Sequence, residues 1–128
     1  MLKAKEIMSP NVVTVQESAW VAEAIALMNE HHVHALIVEP KDEDDAYGII
    51  SDADIAYKVI ALGQDPKALS VREVMTKPCV VVNPDLSIEH VARLFANYHL
   101  HRAPVIQKKL LGIVSVGDII RQAMWWQG

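Results

Sequence analysis

Gly48-Ile49-Ile50-Ser51-Asp52-Ala53-Asp54-Ile55 and Gly112-Ile113-Val114-Ser115-Val116-Gly117-Asp118-Ile119 are two versions of one stretch, and their repetition decides how the chain is read. Internal repeats come first because missing one misreads the whole fold. Working outward, Glu6-Ile7-Met8-Ser9 matches Glu73-Val74-Met75-Thr76, and Val12-Val13-Thr14-Val15 matches Cys79-Val80-Val81-Val82. His32-Val33-His34 matches His99-Leu100-His101 at the same offset. The offset then shortens before the opening stretch, so the first copy carries a net three extra residues around Glu39 to Asp45. The chain is one unit duplicated.

Both copies have the same local pattern. β-Branched runs, Val12 to Val15 and Val80 to Val82, have strand character. Trp20, Val21, Ala24, Ile25, Leu27 and Met28 recur at helical spacing, as do Ile88, Val91, Ala92, Leu94 and Phe95. Two short apolar runs follow in each copy: Leu36 to Val38 and Tyr47 to Ile50, then Pro104 to Ile106 and Leu110 to Val114. A second helix closes each unit, over Asp52 to Leu62 and over Val116 to about Met124. Gly63 is the expected terminator of the first, and Ser70-Val71-Arg72-Glu73 fits a capping box on a short leading helix. The expected boundaries are a first domain over 1–62, a linker over 63–70 and a second domain over 71–128 with an aromatic tail. A unit of about 60 residues is marginal alone, whereas two packed sheet against sheet share one core.

Composition narrows the function. At 52% hydrophobic and 22% charged residues the 128-residue chain is globular, and a net charge of −4 argues against a nucleic-acid binder. No apolar run suggests a membrane span or a secretory signal, so a cytoplasmic protein is expected. The single cysteine, Cys79, lies in an apolar run and reads as a packed small hydrophobe. There is no P-loop signature, no Gly-x-Ser-x-Gly and no HExxH, so no enzyme and no catalytic cofactor are expected.

The candidate chemistry lies at the strand-to-helix junctions. Ser51 with Asp54, and Ser115 with Asp118, can hold a ribose, since an ionised aspartate accepts from both hydroxyls. The same Ser-x-x-Asp spacing equally describes a helix capping box, and the two roles can coexist. His101-Arg102-Ala103-Pro104 places a guanidinium fork suited to phosphate at the start of a strand. His31, His32, His34, His99 and His101 raise a metal reading, but no Cys, Asp or Glu completes either cluster at ligand spacing, and none is expected. The acidic run Glu39 to Asp45 lacks the alternation of a calcium loop and reads as solvated. Trp125-Trp126 is expected to pack on the partner copy, on another subunit or on a further segment of chain.

These marks, together with Ile7-Met8-Ser9-Pro10, Val74-Met75-Thr76 and the His-Arg-Ala-Pro-Val run from 101 to 105, resemble the tandem CBS domain pair, or Bateman module, over about residues 3 to 124. The resemblance implies an α+β fold of two β-α-β-β-α units, packed by their sheets about a pseudo-twofold axis. It also implies clefts binding AMP, ADP, ATP or another adenosyl compound such as S-adenosylmethionine, with or without Mg2+. Carried over by position, one cleft takes Ser51, Asp54, Thr76, Val81, His101, Arg102 and Pro104. The other takes Ser115, Asp118, Ser9, Thr14, His34 and Ala35. The first copy reads His34-Ala35-Leu36 where the second has His101-Arg102-Ala103-Pro104, so the Asp54/Arg102 cleft is expected to prefer the more phosphorylated ligand. An energy-sensing homodimer or higher oligomer that switches an unidentified protein is the expected function. A ligand-free oligomerisation module with degenerate clefts is the alternative.

Overall fold

The structure, a computed structural model, describes residues 2–123. In chain order the helices are α1 (Ala4–Ile7), α2 (Val21–His31), α3 (Asp52–Ile55, continued by a π-helical turn over Ala56–Ile60), α4 (Ile88–Tyr98) and α5 (Val116–Ala123). The strands are β1 (Thr14–Val15), β2 (Ala35–Val38), β3 (Gly48–Ser51), β4 (Arg102–Gln107) and β5 (Lys109–Ser115). A 3-10 turn covers Val71–Glu73. This is a mixed α+β fold built from two repeats. Met124 and the Trp125-Trp126 tail lie outside the described residues.

The compact units do not coincide with the sequence repeats. One unit, here the central unit, is Val13–Cys79; the other, the terminal unit, is Met1–Val12 with Val80–Gly128. Each repeat therefore contributes its leading segment to the core of the other unit. Val71 and Val74 sit in the core of the central unit with Val15, Val21, Leu36, Ile50 and Val59. Ala4 and Ile7 sit in the core of the terminal unit with Val82, Val91, Phe95, Val105 and Val114. Full burial of one such aliphatic side chain contributes about 1.5–3 kcal/mol toward holding the leading segment in place. Residues 63–70 are part of the central unit. Leu69 O and Pro66 O accept the N–H groups of Val21 and Ala22 at 2.8 and 2.9 Å, capping α2, whose N-cap residue Trp20 makes no side-chain cap bond.

In the central unit β2 is flanked by β1 in parallel and β3 antiparallel, and all four of its residues are buried. The terminal unit has β4 antiparallel to β5, while the expected strand over Val80 to Val82 is reduced to one parallel bridge, Val82 to Val105. Proline explains the difference. In the central unit Ile37 N–H donates to Val13 O at 3.0 Å; the matching position in the second repeat is Pro104, which has no N–H to give Val80. Helices α2 and α4 end alike, on His32 and His99 with φ of 54° and 55°, left-handed C-caps whose N–H groups reach Met28 O and Phe95 O. Gly63, at φ 69°, terminates the π-helical turn as its sequence position suggests.

Candidate functional site

In each unit a strand ends on serine and turns into a helix. Ser51 Oγ accepts the Asp54 N–H at 3.1 Å, and Asp54 Oδ2 accepts the Ser51 N–H at 2.9 Å. Ser115 and Asp118 repeat this, with Asp118 N–H to Ser115 Oγ at 3.1 Å and Ser115 N–H to Asp118 Oδ2 at 2.8 Å. Ser115 Oγ also donates to Asp118 Oδ2 at 3.0 Å. Both motif pairs are thus capping boxes. Each uses Oδ2 of the carboxylate and leaves Oδ1 outside the box.

Neighbouring strands and leading segments bring further predicted residues to each pair. In the central unit Ala35 lies opposite Ser51, and Thr14 is registered with Ile37 on the same strand as Ala35. Thr76 bridges Ile49 through paired backbone hydrogen bonds of 2.9 Å, two residues before Ser51. His34 O accepts the Asp52 N–H at 2.8 Å, and its ring Nδ1 lies 3.1 Å from Asp52 Oδ2. In the terminal unit Arg102 lies opposite Ser115, and His101 O accepts the Val116 N–H at 2.8 Å. Ser9 bridges Ile113 at 2.8 and 2.9 Å, matching Thr76 on Ile49. The grouping implied by the resemblance set Arg102 with Ser51 and Asp54, and His34 with Ser115 and Asp118. Within the units themselves Arg102 is registered opposite Ser115, and Ala35, next to His34, opposite Ser51, which does not bear on that grouping.

The motif glycine has a concrete reason to be glycine. A Cβ on Gly112 would fall 2.6 Å from Ser9 O and 2.7 Å from Met8 Sδ, because the leading segment crosses directly over it. On Gly48 the nearest atoms, Thr76 O and Val38 Cβ, would be 3.2 Å away. The glycines therefore admit the segments that carry Ser9 and Thr76 beside the motif strands.

Surface access differs among the predicted residues. Thr76, Val81, His34 and His101 are exposed, while Ser51, Asp54, Ser115, Asp118, Arg102, Ser9 and Thr14 are half-buried. Ala35 and Pro104 are buried, and Pro104 O accepts the Val82 N–H at 2.9 Å. Pro104 shapes the strand within its unit and offers no side-chain surface there. Among the described residues no three His, Cys, Asp or Glu side chains gather as metal ligands. His32 serves as a helix cap and His34 is paired with Asp52. A cleft of about 630 Å³ between α2 and the α3 turn has Met28, Ile55, His34 and Asp52 among its walls but neither Ser51 nor Asp54.

Two cations at the site escaped the sequence reading. Lys58 Nζ lies 3.2 Å from Asp54 Oδ1, and Arg121 Nη2 pairs with Asp118 Oδ1. Their signal was an ordinary helical one, a base four or three residues after the motif acid. The run Glu39 to Asp45 is not uniformly solvated either. Asp45 Oδ2 lies 2.6 Å from Lys77 Nζ, which is 2.8 Å from Glu17 Oε2; Lys41 and Arg72 hold Glu17 Oε1 at 3.1 and 3.0 Å. The Lys77, Lys41 and Arg72 side chains hold the buried Glu17 carboxyl down to about 2, and chiefly Lys77 holds Asp45 at about 2.

The CBS domain family model matches residues 4–61 and 71–124. YhcV, a CBS domain-containing protein of Bacillus subtilis, is 35% identical over 120 residues, covering 93% of this chain and 84% of the relative. Among solved structures, the hexameric CBS-CP12 protein from bloom-forming cyanobacteria is 59% identical with a TM-score of 0.92, over 94% of this chain and 70% of that one. CBSX2, solved in complex with AMP, is 26% identical with a TM-score of 0.79 and full coverage of both chains. Among the described residues no helix is long and apolar enough to cross a membrane.

Proposed function

The chain belongs to the CBS domain family, and from that premise we propose that it is a non-catalytic regulatory module binding an adenosine nucleotide, AMP, ADP or ATP. The observation that carries this reading is the guanidinium of Arg102. Arg102 as a residue is half-buried, is registered opposite Ser115 at the motif junction, and forms no ion pair among the described residues. A guanidinium fork at that position suits a phosphate, and an ionised motif aspartate accepts from ribose hydroxyls. Ser9 and Thr76 flank the motif strands, and His34 and His101 supply further polar groups at the strand starts. AMP in the complex of the related CBSX2 is consistent with this ligand class.

The ligand acts by differential affinity for two arrangements of the module, since binding can shift an equilibrium only by that difference. The expected assembly is a homodimer or larger, which in the cytoplasm would switch a second protein with adenylate levels. One observation favours a second reading, an assembly module without ligand: both motif pairs are already satisfied as capping boxes. Calorimetric titration separates the two. AMP, ADP and ATP, with and without Mg2+, S-adenosylmethionine and NADH would be titrated into wild type, Asp54→Ala, Asp118→Ala and Arg102→Ala. Binding that weakens in an aspartate variant, with Arg102→Ala lowering AMP affinity more than adenosine affinity, supports the sensor. Absence of binding by every adenosine compound at millimolar concentration, with the oligomer intact, overturns it.

A further inference from the structure

The two motif aspartates share a feature that the capping box does not require. In each, the oxygen left over by the cap is closed by a cation one helical turn further on, Lys58 on Asp54 and Arg121 on Asp118. The central-unit cation is anchored twice, because Lys58 Nζ also donates to Val74 O at 3.1 Å. Val74 belongs to the leading segment that carries Thr76. One ammonium therefore ties the carboxylate oxygen outside the box to the backbone of that segment. An ionised carboxylate oxygen held by an ammonium at this distance is a poorer acceptor for a neutral hydroxyl, because the cation must move or share it.

We propose that Lys58 is a latch on Asp54: it competes with ribose hydroxyls for Oδ1, and so sets the affinity and salt response of the central-unit site. This rests on the adenosine-binding reading and deepens it. The ammonium stem is half-exposed, so the competition is a modest, screened one, equivalent to a factor of about two to five in affinity. Arg121 plays the corresponding part at Asp118 from a more exposed position, with no second anchor among the described residues. The latch is therefore stronger at Asp54.

Adenosine is the probe of choice because it presents ribose without a phosphate that would itself respond to salt. If adenosine binding is too weak to fit, AMP replaces it for the comparison of variants at a single salt concentration, because its phosphate responds to salt. The full chain would be titrated as wild type, Lys58→Met, Lys58→Arg and Lys58→Met/Asp54→Ala, at about 0.02 M and about 0.5 M salt, where screening differs several-fold in range. Lys58→Met keeps the aliphatic stem and removes the charge. The expected result is a gain of about two- to five-fold in adenosine affinity for Lys58→Met, with Lys58→Arg near wild type. Wild-type affinity should rise with salt, Lys58→Met should not respond, and Asp54→Ala should cancel the gain. Equal binding and equal salt response in wild type and Lys58→Met overturn the latch while leaving the nucleotide reading standing. Weaker binding in Lys58→Met also overturns it, making Lys58 a ligand contact. No binding of adenosine or AMP by any variant overturns the latch, and the adenosine-binding reading falls with it when ADP, ATP and S-adenosylmethionine also fail to bind.

Discussion

Gly112→Ala is the sharpest perturbation of the exchanged architecture. The added Cβ would lie 2.6 Å from Ser9 O and 2.7 Å from Met8 Sδ. The thioether end can swing away, but Ser9 O belongs to backbone that is hydrogen-bonded to Ile113 at 2.8 and 2.9 Å. Relief therefore means lifting the leading segment, which weakens those two bonds and loosens Ala4 and Ile7 in the core. Overpacking of this kind costs about 1–3 kcal/mol, and an upper-range value fits a clash against backbone. Since Gly112 does not have a positive φ, alanine returns about 0.4–1 kcal/mol by restricting the unfolded chain. The expected net loss is about 2 kcal/mol, or roughly 8 °C in Tm for a chain of this size. Gly48→Ala meets neighbours at 3.2–3.3 Å that can yield by tenths of an ångström, so its net change should stay within about 0.5 kcal/mol. Urea denaturation of both variants measures the contrast. Adding Met8→Ala to Gly112→Ala should recover only part of the loss, because Ser9 O remains. Equal stability of Gly112→Ala and Gly48→Ala would refute the claim that the leading segment crosses tightly over Gly112.

Acid should expose the Glu17 cluster. Folded Glu17 and Asp45 both sit at about 2, below ordinary values of 4.5 and 3.8, so their contribution is complete above about pH 4.5 and lost as pH falls toward 2. Urea midpoints from pH 6 to pH 2.5 should therefore fall more steeply for wild type than for Glu17→Gln; parallel curves would remove the cluster from the acid response. At the end of α4, His99→Gly relieves a left-handed residue that has a Cβ, and should stabilise by about 1 kcal/mol in thermal melts. Destabilisation would mean that the imidazole makes a contact worth more than the strain. Burial raises the Cys79 thiol to about 11, so its alkylation by iodoacetamide at pH 8 should be slow in the native protein and fast in urea. Rapid native labelling would contradict that burial.

What could be read without coordinates was local. Ser51-x-x-Asp54 and Ser115-x-x-Asp118 were legible as capping boxes because the bonds that make them join residues three apart. Gly63 as a terminator and Ser70 with Glu73 as a cap were legible for the same reason; Ser70 N–H reaches Glu73 Oε2 at 2.7 Å. The strand over Val80 to Val82 was over-read. β-Branched residues mark strand character, but the ladder needed a donor that Pro104, more than twenty positions away, does not have. The histidine clusters also gained a structural explanation that spacing could not supply, since two of their members end helices in the left-handed conformation.

The sequence by itself determined the duplication, the kind of most elements, and the serine–aspartate pair at each strand-to-helix junction. It did so because periodicity and capping depend on residues within one or two turns of each other. Only the tertiary structure decided that leading segments are exchanged between repeats, that Gly112 lies beneath Ser9, and that Glu17 meets Lys41, Arg72 and Lys77. It alone showed that Lys58 joins Asp54 to Val74. Apart from the one-turn pair of Lys58 with Asp54, those contacts join residues well separated in the chain through burial and charge, which leave no fixed spacing in the sequence to be read.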